Sequence, residues 1–335
     1  MTSPTALAVL RAVAAGAGSL APVHAALGTV LDTIEPGLAV ARVPRLPPHR
    51  LRGPGVVPVL GDLVLSAAIT SSLAAGLRIS TLTLHTAMLG PLPPPGAALV
   101  ARAELVGPGG AVAGGTADAS ADGVAGATAG ASAAAAAGGV GSTSAGELAA
   151  ALVGGPGRAS VGESAGAVAG ATAVSRAAVY AADGRPVAQV GARCAVLPST
   201  GGGELFHDPV DPDPFAALGP ELRAAATLAN SAGGVQGGVL AAVVGHRIAE
   251  AIGAPDAAAC DCDVTFVRGV AADGAGMAVD VEVRHGGRRL VAADARLRDS
   301  RGRVAVIASA ACWLPASPKS PTSSLRIPDV ESPNP

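Results

Sequence analysis

At 335 residues the chain is long enough for two domains of ordinary size. Half of its residues are apolar, yet only Phe206, Phe215, Phe266, Tyr180 and Trp313 are aromatic, so Ala, Val and Leu must fill any core and 46 glycines must shape its turns. A formal charge of −2 argues against nucleic acid as the main partner, because phosphate neutralisation needs a basic face; no apolar run reaches the roughly 18–20 residues that span a bilayer without charge.

Residues 1–26 are apolar but lack a basic leading region, and Arg11 interrupts the run. A short helix ahead of the first domain is expected there, not a secretory leader, in a protein of the cytoplasm. Cys260 and Cys262 are two apart, on one face of a strand. Neither they nor Cys194 and Cys312 show the paired spacing of a zinc site. All four are expected to be small buried hydrophobes in a reducing compartment, and no metal is expected.

Two stretches repeat without a gap: Gly53-Pro54-Gly55-Val56-Val57-Pro58-Val59-Leu60-Gly61-Asp62 and Gln236-Gly237-Gly238-Val239-Leu240-Ala241-Ala242-Val243-Val244-Gly245. Each reads as a glycine turn entering an apolar helix, continuing to Ala75 in the first and Ile252 in the second, with Gly76 and Gly253 as stop signals. A second matched pair closes each half. Asp183-Gly184-Arg185 leads to Val187, Val190, Cys194 and Leu197-Pro198, and Gly302-Arg303 leads to Val304, Val306, Ile307, Cys312 and Leu314-Pro315.

From Gly55 to Cys194 is 139 residues, against 74 from Gly238 to Cys312, an excess of 65 in the first half. A tract of Ala, Gly, Ser and Thr at about 107–172 accounts for it. It buries too little apolar surface to offset the entropy of ordering it, so a disordered or loosely helical insertion in a hairpin loop is expected. Between the landmarks, strands are predicted at Ile79–Leu89, Ala97–Val106, Ser175–Ala182 and Val187–Leu197, then at Cys260–Gly269, Ala275–Arg284, Arg289–Arg298 and Val304–Trp313. The alternation of Met277-Ala278-Val279-Asp280-Val281-Glu282-Val283 is that of a half-buried antiparallel strand. The expected fold is α+β: a helical segment at 1–26, one half at 27–198 with its insertion, a second at 199–316, and a disordered Pro/Ser-rich tail at 317–335.

The run Asn230-Ser231-Ala232-Gly233-Gly234-Val235-Gln236-Gly237-Gly238 resembles the N-x-x-G-x-x-H-G-G signature of PaaI-like hotdog-fold acyl-CoA thioesterases, with Gln236 where that signature has His. Val59-Leu60-Gly61-Asp62 resembles the family's L-A-D segment, and Asp62 lies seven residues past Gly55, where the family's helix carries its acid. Thr83-Leu84-His85-Thr86-Ala87-Met88-Leu89-Gly90-Pro91-Leu92 resembles the strand V-x-F-L-R-P that follows that helix. The resemblance covers both halves apart from the insertion. It implies a double hotdog in which one chain supplies both partners of the usual dimer, with room for a homodimer of such chains.

Family active sites take a glycine turn from one partner and an acid from the other. The second half keeps Asn230, Gln236, Gly237 and Gly238 but has Gly245 at its acid position; the first keeps Asp62 but has Pro54, which has no backbone N–H, where the second has Gly237. One junction therefore holds every part and the other holds none. The resemblance implies Asp62 as nucleophile or general base, Gly237 and Gly238 as an oxyanion hole at a helix start, Asn230 orienting water or carboxylate, and Gln236 bonding near the thioester. Ser66 and Thr70, one and two turns past Asp62, are candidates to line the substrate pocket. Coenzyme A enters only as part of the substrate, and no cofactor, nucleic acid or membrane is implied.

Each residue also has a plainer reading: Asp62 as a solvent-facing helix carboxylate, Asn230 as a turn cap, Gly237-Gly238 as a tight turn, Ser66 and Thr70 as hydroxyls bonded back to their own helix. His246, and the arginines of His285-Gly286-Gly287-Arg288-Arg289, read first as ordinary packed or solvated groups. A hotdog hydratase would show G-D-x-N-P-x-H, which does not occur. A non-catalytic acyl-CoA binder is the main alternative. Gly162-Glu163-Ser164-Ala165-Gly166 fits a serine-hydrolase elbow by its letters alone and lies in the low-complexity tract.

Overall fold

The computed structural model describes residues 5–47, 51, 53–106, 170–199, 215, 218, 221–253 and 259–314. The chain opens with two short helices, α1 (Ala6–Ala14), started by the Thr5 hydroxyl accepting from Ala8 N at 3.3 Å, and α2 (Pro22–Ala26). A hairpin of β1 (Val30–Glu35) and β2 (Leu38–Val43) follows, turned at Pro36-Gly37 with Gly37 at φ 75°. Helix α3 (Val57–Thr70) then leads to β3 (Leu77–Met88) and β4 (Leu99–Val106), and the chain resumes with β5 (Thr172–Ala181) and β6 (Pro186–Pro198). The second half has a 3₁₀ turn at Ala226–Leu228, helix α4 (Gly237–Ala251), and strands β7 (Ala259–Phe266), β8 (Ala278–Gly286), β9 (Leu290–Arg298) and β10 (Val304–Trp313).

All ten strands join one antiparallel sheet in the order β1-β2-β4-β5-β6-β3-β7-β10-β9-β8. Its centre is the pairing of β3 with β7, which sets Thr83 opposite Thr265 and Ala87 opposite Asp261. Away from this seam the order repeats, β6-β5-β4 on one side and β10-β9-β8 on the other, so the sequence repeat is a repeat of topology. Helix α3 packs on β2 to β6, α4 packs on β3 and β7 to β10, and the two helices pack on each other. Leu60, Leu65 and Ile69 of α3 and Val239, Val243 and Val244 of α4 are fully buried or nearly so. Each such side chain contributes about 1.5–3 kcal/mol of transfer free energy.

Several expectations need correction. The first helix ends at Thr70 and not at Ala75, because Ser71 turns back: its hydroxyl donates to Ala68 O at 2.8 Å and accepts from Gly37 N at 3.0 Å, tying the helix end to the β1–β2 turn. The β1–β2 hairpin was not among the predicted strands. The cysteines are not all free, since Cys260 and Cys312 stand opposite each other on β7 and β10 and form a disulfide; Cys194 and Cys262 remain free and buried. The predicted insertion falls almost wholly at 107–169, and the predicted tail at 317–335, both outside the described residues, although the strands flanking the insertion, β4 and β5, are antiparallel neighbours. Among the described residues no helix is long and apolar enough to cross a membrane.

The helix–helix contact depends on a missing side chain. A Cβ on Gly238 would run into the Pro58 carbonyl oxygen and stand 2.7 Å from Val59 Cα, and both are backbone atoms that cannot step aside alone. Gly238→Ala should therefore push α3 and α4 apart and lower the unfolding free energy by about 1–3 kcal/mol or more, as read from the midpoint of a urea melt; an unchanged midpoint would show that the contact is slack.

Candidate functional site

Asp62 lies on the second turn of α3, 4% exposed, and is the only buried acid among the described residues. Its carboxylate crosses the seam between the halves. Oδ2 accepts from Gly238 N at 3.0 Å and from Gln236 Nε2 at 2.6 Å, both at the start of α4. Oδ1 accepts from the Thr81 hydroxyl of β3 at 3.1 Å. The acid of one half and the unpaired amides that open the helix of the other are thus in direct contact, where the α4 dipole favours a negative charge.

The α4 N-terminus divides its donors. Gln236 is the N-cap: its Oε1 accepts from Val239 N at 2.9 Å while its Nε2 holds Asp62, so one side chain serves both the helix and the carboxylate. Gly238 N is committed to Asp62. Among the described residues nothing accepts from Gly237 N–H, which leaves it as the donor available to a ligand. Of the two amides expected to form an oxyanion hole, that of Gly238 is thus used to hold the acid and only that of Gly237 is left over. A Cβ on Gly237 would stand 3.3 Å from Asp62 Oδ2 and 3.4 Å from Phe266 Cζ, so its absence keeps open a slot between the carboxylate and that ring.

Asn230 takes the plainer of its two readings. Its Oδ1 accepts from Ala232 N at 2.9 Å and Gly234 N at 3.2 Å, which shapes the turn running into Val235 and Gln236. It is not brought to the carboxylate, whose hydrogen bonds go to Thr81, Gln236 and Gly238. Ser66 and Thr70 lie with Leu63 on the half-buried stripe of α3, beyond Asp62 along the helix and outside that set of bonds.

Two residues at the site were missed by sequence reasoning, Thr81 and Phe266. Thr81 faces inward because of a bulge. Up to Thr81 the residues of β3 pair one to one with β6, but Thr81 is opposite Cys194 and Thr83 is opposite Arg193, leaving Leu82 extra. Odd-numbered positions face the helices before the bulge, and even-numbered Leu84, Thr86 and Met88 are the buried ones after it. The Cys194 thiol lies 3.9 Å from Thr81 Oγ1. Burial, and next the nearby Asp62 charge, push that thiol up to about 12, so it keeps its proton.

At the other junction, where Gly245 stands in the acid position, a Cβ on Gly245 would meet the Pro54 ring at 2.7 Å from Cγ and 2.9 Å from Cδ. The proline ring fills the space a side chain would need. Only the Asp62 junction retains both a buried acid and a free helix-start amide.

No protein-family model matches the chain, and no curated protein matches it significantly in sequence. The solved structures that resemble it include thioesterases. The tesB protein of Mycobacterium avium subs paratuberculosis is 13% identical at a TM-score of 0.43, over 89% of this chain and 99% of that one. An acyl-ACP thioesterase from Bacteroides thetaiotaomicron is 10% identical at 0.42, over 82% and 98%. A thioesterase family protein from Silicibacter pomeroyi is 19% identical at 0.30, over 53% and 90%. At such scores the likeness decides nothing about chemistry.

Burial raises the Asp62 pKa from 3.8 to about 6, against the opposing effect of the bonds from Gly238, Thr81 and Gln236. The folded carboxyl thus binds its proton more tightly than the unfolded one. Through this group alone the folded state is favoured most below about pH 4, less as pH rises towards 6, and stays less favoured above that. Asp62→Asn can keep the bonds from Gly238 and Gln236 without the charge. It should be more stable than the parent at pH 7.5, by on the order of 3 kcal/mol, with the difference shrinking below pH 4; thermal melts across this range would show it, and a variant less stable at pH 7.5 would contradict it.

Proposed function

We propose that the chain is a double-hotdog acyl-CoA thioesterase with one working centre, at the junction of Asp62 with the α4 N-terminus. The observation that carries this reading is the buried carboxylate held 3.0 Å from Gly238 N beside a Gly237 N–H that no described residue uses. A thioester needs a nucleophile on one side of its carbonyl carbon and a donor at its oxygen. Asp62 and Gly237 supply the two across one slot.

Asp62 Oδ2 faces the slot and accepts from Gly238 N and Gln236 Nε2, while Oδ1 accepts from Thr81, so three donors aim the carboxylate at the slot. The carboxylate attacks the carbonyl carbon, or takes a proton from a water whose oxygen attacks. The carbonyl oxygen gains the electron pair and is held by Gly237 N–H, aided by the helix dipole; one such donor contributes about 3–4 kcal/mol to the transition state. The pair then returns, the C–S bond breaks, and the coenzyme A thiolate leaves and is protonated. In the nucleophilic route water hydrolyses the resulting acyl–Asp62 anhydride, and both routes end at free acid and thiol. Gln236 holds Asp62 without a titrating proton, Asn230 shapes the turn that presents Gln236, and Ser66 and Thr70 are assigned to the wall of the acyl pocket.

Both routes need ionised Asp62. With a panel of acyl-CoAs and a thiol reagent, kcat/KM should rise through about pH 6 and level off above it, and Asp62→Asn should lose at least about 10²-fold. Tight acyl-CoA binding with no thiol release by the parent protein would mean a binding protein instead. A single turnover in ¹⁸O-labelled water that leaves label in the Asp62 carboxyl would establish the nucleophilic route, through attack of water on the aspartyl carbon of the anhydride.

A further inference from the structure

The slot in front of Gly237 has two walls, and the mechanism uses only one of them. Asp62 is the reactive wall. The other is Phe266, whose Cζ and Cε1 stand 3.4 and 3.7 Å from where a Gly237 Cβ would be. Phe266 ends β7, paired with the buried Val306 of β10, so its backbone is fixed by the sheet. Its side chain is only half-buried, which leaves part of the ring facing free space. It is one of three phenylalanines in a chain whose core is mostly Ala, Val and Leu.

We propose that Phe266 is a specificity-determining residue that limits bulk on the carbon next to the thioester carbonyl, so that the centre takes acyl groups with an unbranched CH₂ at that carbon. This rests on the hydrolytic reading above. A carbonyl carbon between Asp62 and Gly237 N–H lies within van der Waals reach of the ring tip, and the acyl α-carbon is bonded directly to it. A CH₂ lies flat against an aromatic ring. A second carbon branch there, or an α-carbon that is itself part of an aromatic ring, must displace Phe266, whose backbone is held by β10 at Val306 and, through the adjoining Thr265, by β3. Close packing of this kind discriminates by about 10–200-fold for a single group in an apolar site.

The test compares butyryl-, isobutyryl- and benzoyl-CoA with the full-length parent, Phe266→Ala and Phe266→Leu. The parent should prefer butyryl-CoA by at least about tenfold. Phe266→Ala should raise kcat/KM for isobutyryl- or benzoyl-CoA relative to butyryl-CoA by about tenfold, and Phe266→Leu, which keeps the apolar packing if Phe266→Ala does not fold, should move the ratio the same way by less. Unchanged ratios in both variants, or an equal loss on every substrate, would place the ring on the thiol side and overturn the inference while hydrolysis stands. A parent that releases no thiol from any of the three, with Asp62 intact, would remove both readings together.

Discussion

Burying a carboxylate between two helices is unfavourable unless donors meet it, and the folded chain is arranged around meeting this one. Asp62 could not sit at the α3–α4 contact if the α4 amides were satisfied within their own helix; they are free because they are the first of it. Gly238 brings that helix start against the backbone of Pro58 and Val59, close enough for a 3.0 Å bond. The β3–β7 pairing fixes how far one half is shifted along the other, and with it whether Asp62 meets residue 238 or misses it. Sheet register, helix contact and buried charge are therefore one constraint expressed three times.

The same constraint explains why the two halves differ. A second acid at position 245 would lie against Pro54, whose nitrogen bears no proton, and would be buried with one donor fewer. Gly245 removes the charge and Pro54 fills the space, so that junction is an apolar packing contact. Each is sensible only with the other: glycine alone would leave a void, and proline alone would meet a side chain.

Much of this was legible in the sequence because its causes are local or spaced at fixed intervals. The seven-residue step from Gly55 to Asp62, and from Gly238 to Gly245, marks backbone approach and helix face together; the eight strands that follow the two helices were readable between turn signals, with clear alternation at Met277 to Val283. What was not legible depends on register between distant segments. The inward turn of Thr81 comes from the extra Leu82, visible only against β6. The disulfide of Cys260 and Cys312 follows from β7 lying beside β10, which spacing could not reveal. Asn230 was read by resemblance as part of the site; its position just before Ser231-Ala232-Gly233-Gly234 is equally that of a turn cap, and the turn takes it. The β1–β2 hairpin did carry a readable signal, Pro36-Gly37 between two apolar runs.

The proposed hydrolysis asks further that Asp62 be basic enough to act and still ionised near neutrality. Burial alone would carry its pKa far upward and leave a neutral acid unable to attack anything. Three full-strength donors in open solvent would pull it down and leave a weak base. Here burial prevails, and the bonds from Gly238, Thr81 and Gln236 limit the rise to about 6. Glutamine is suited to this position: as a neutral amide it contributes one donor, whereas a protonated imidazole would add a full positive charge beside the carboxylate and depress its basicity further. The placement of Gln236 where the resembling family has histidine is therefore compatible with a working acid, provided that Asp62 itself, and not its neighbour, carries the proton chemistry.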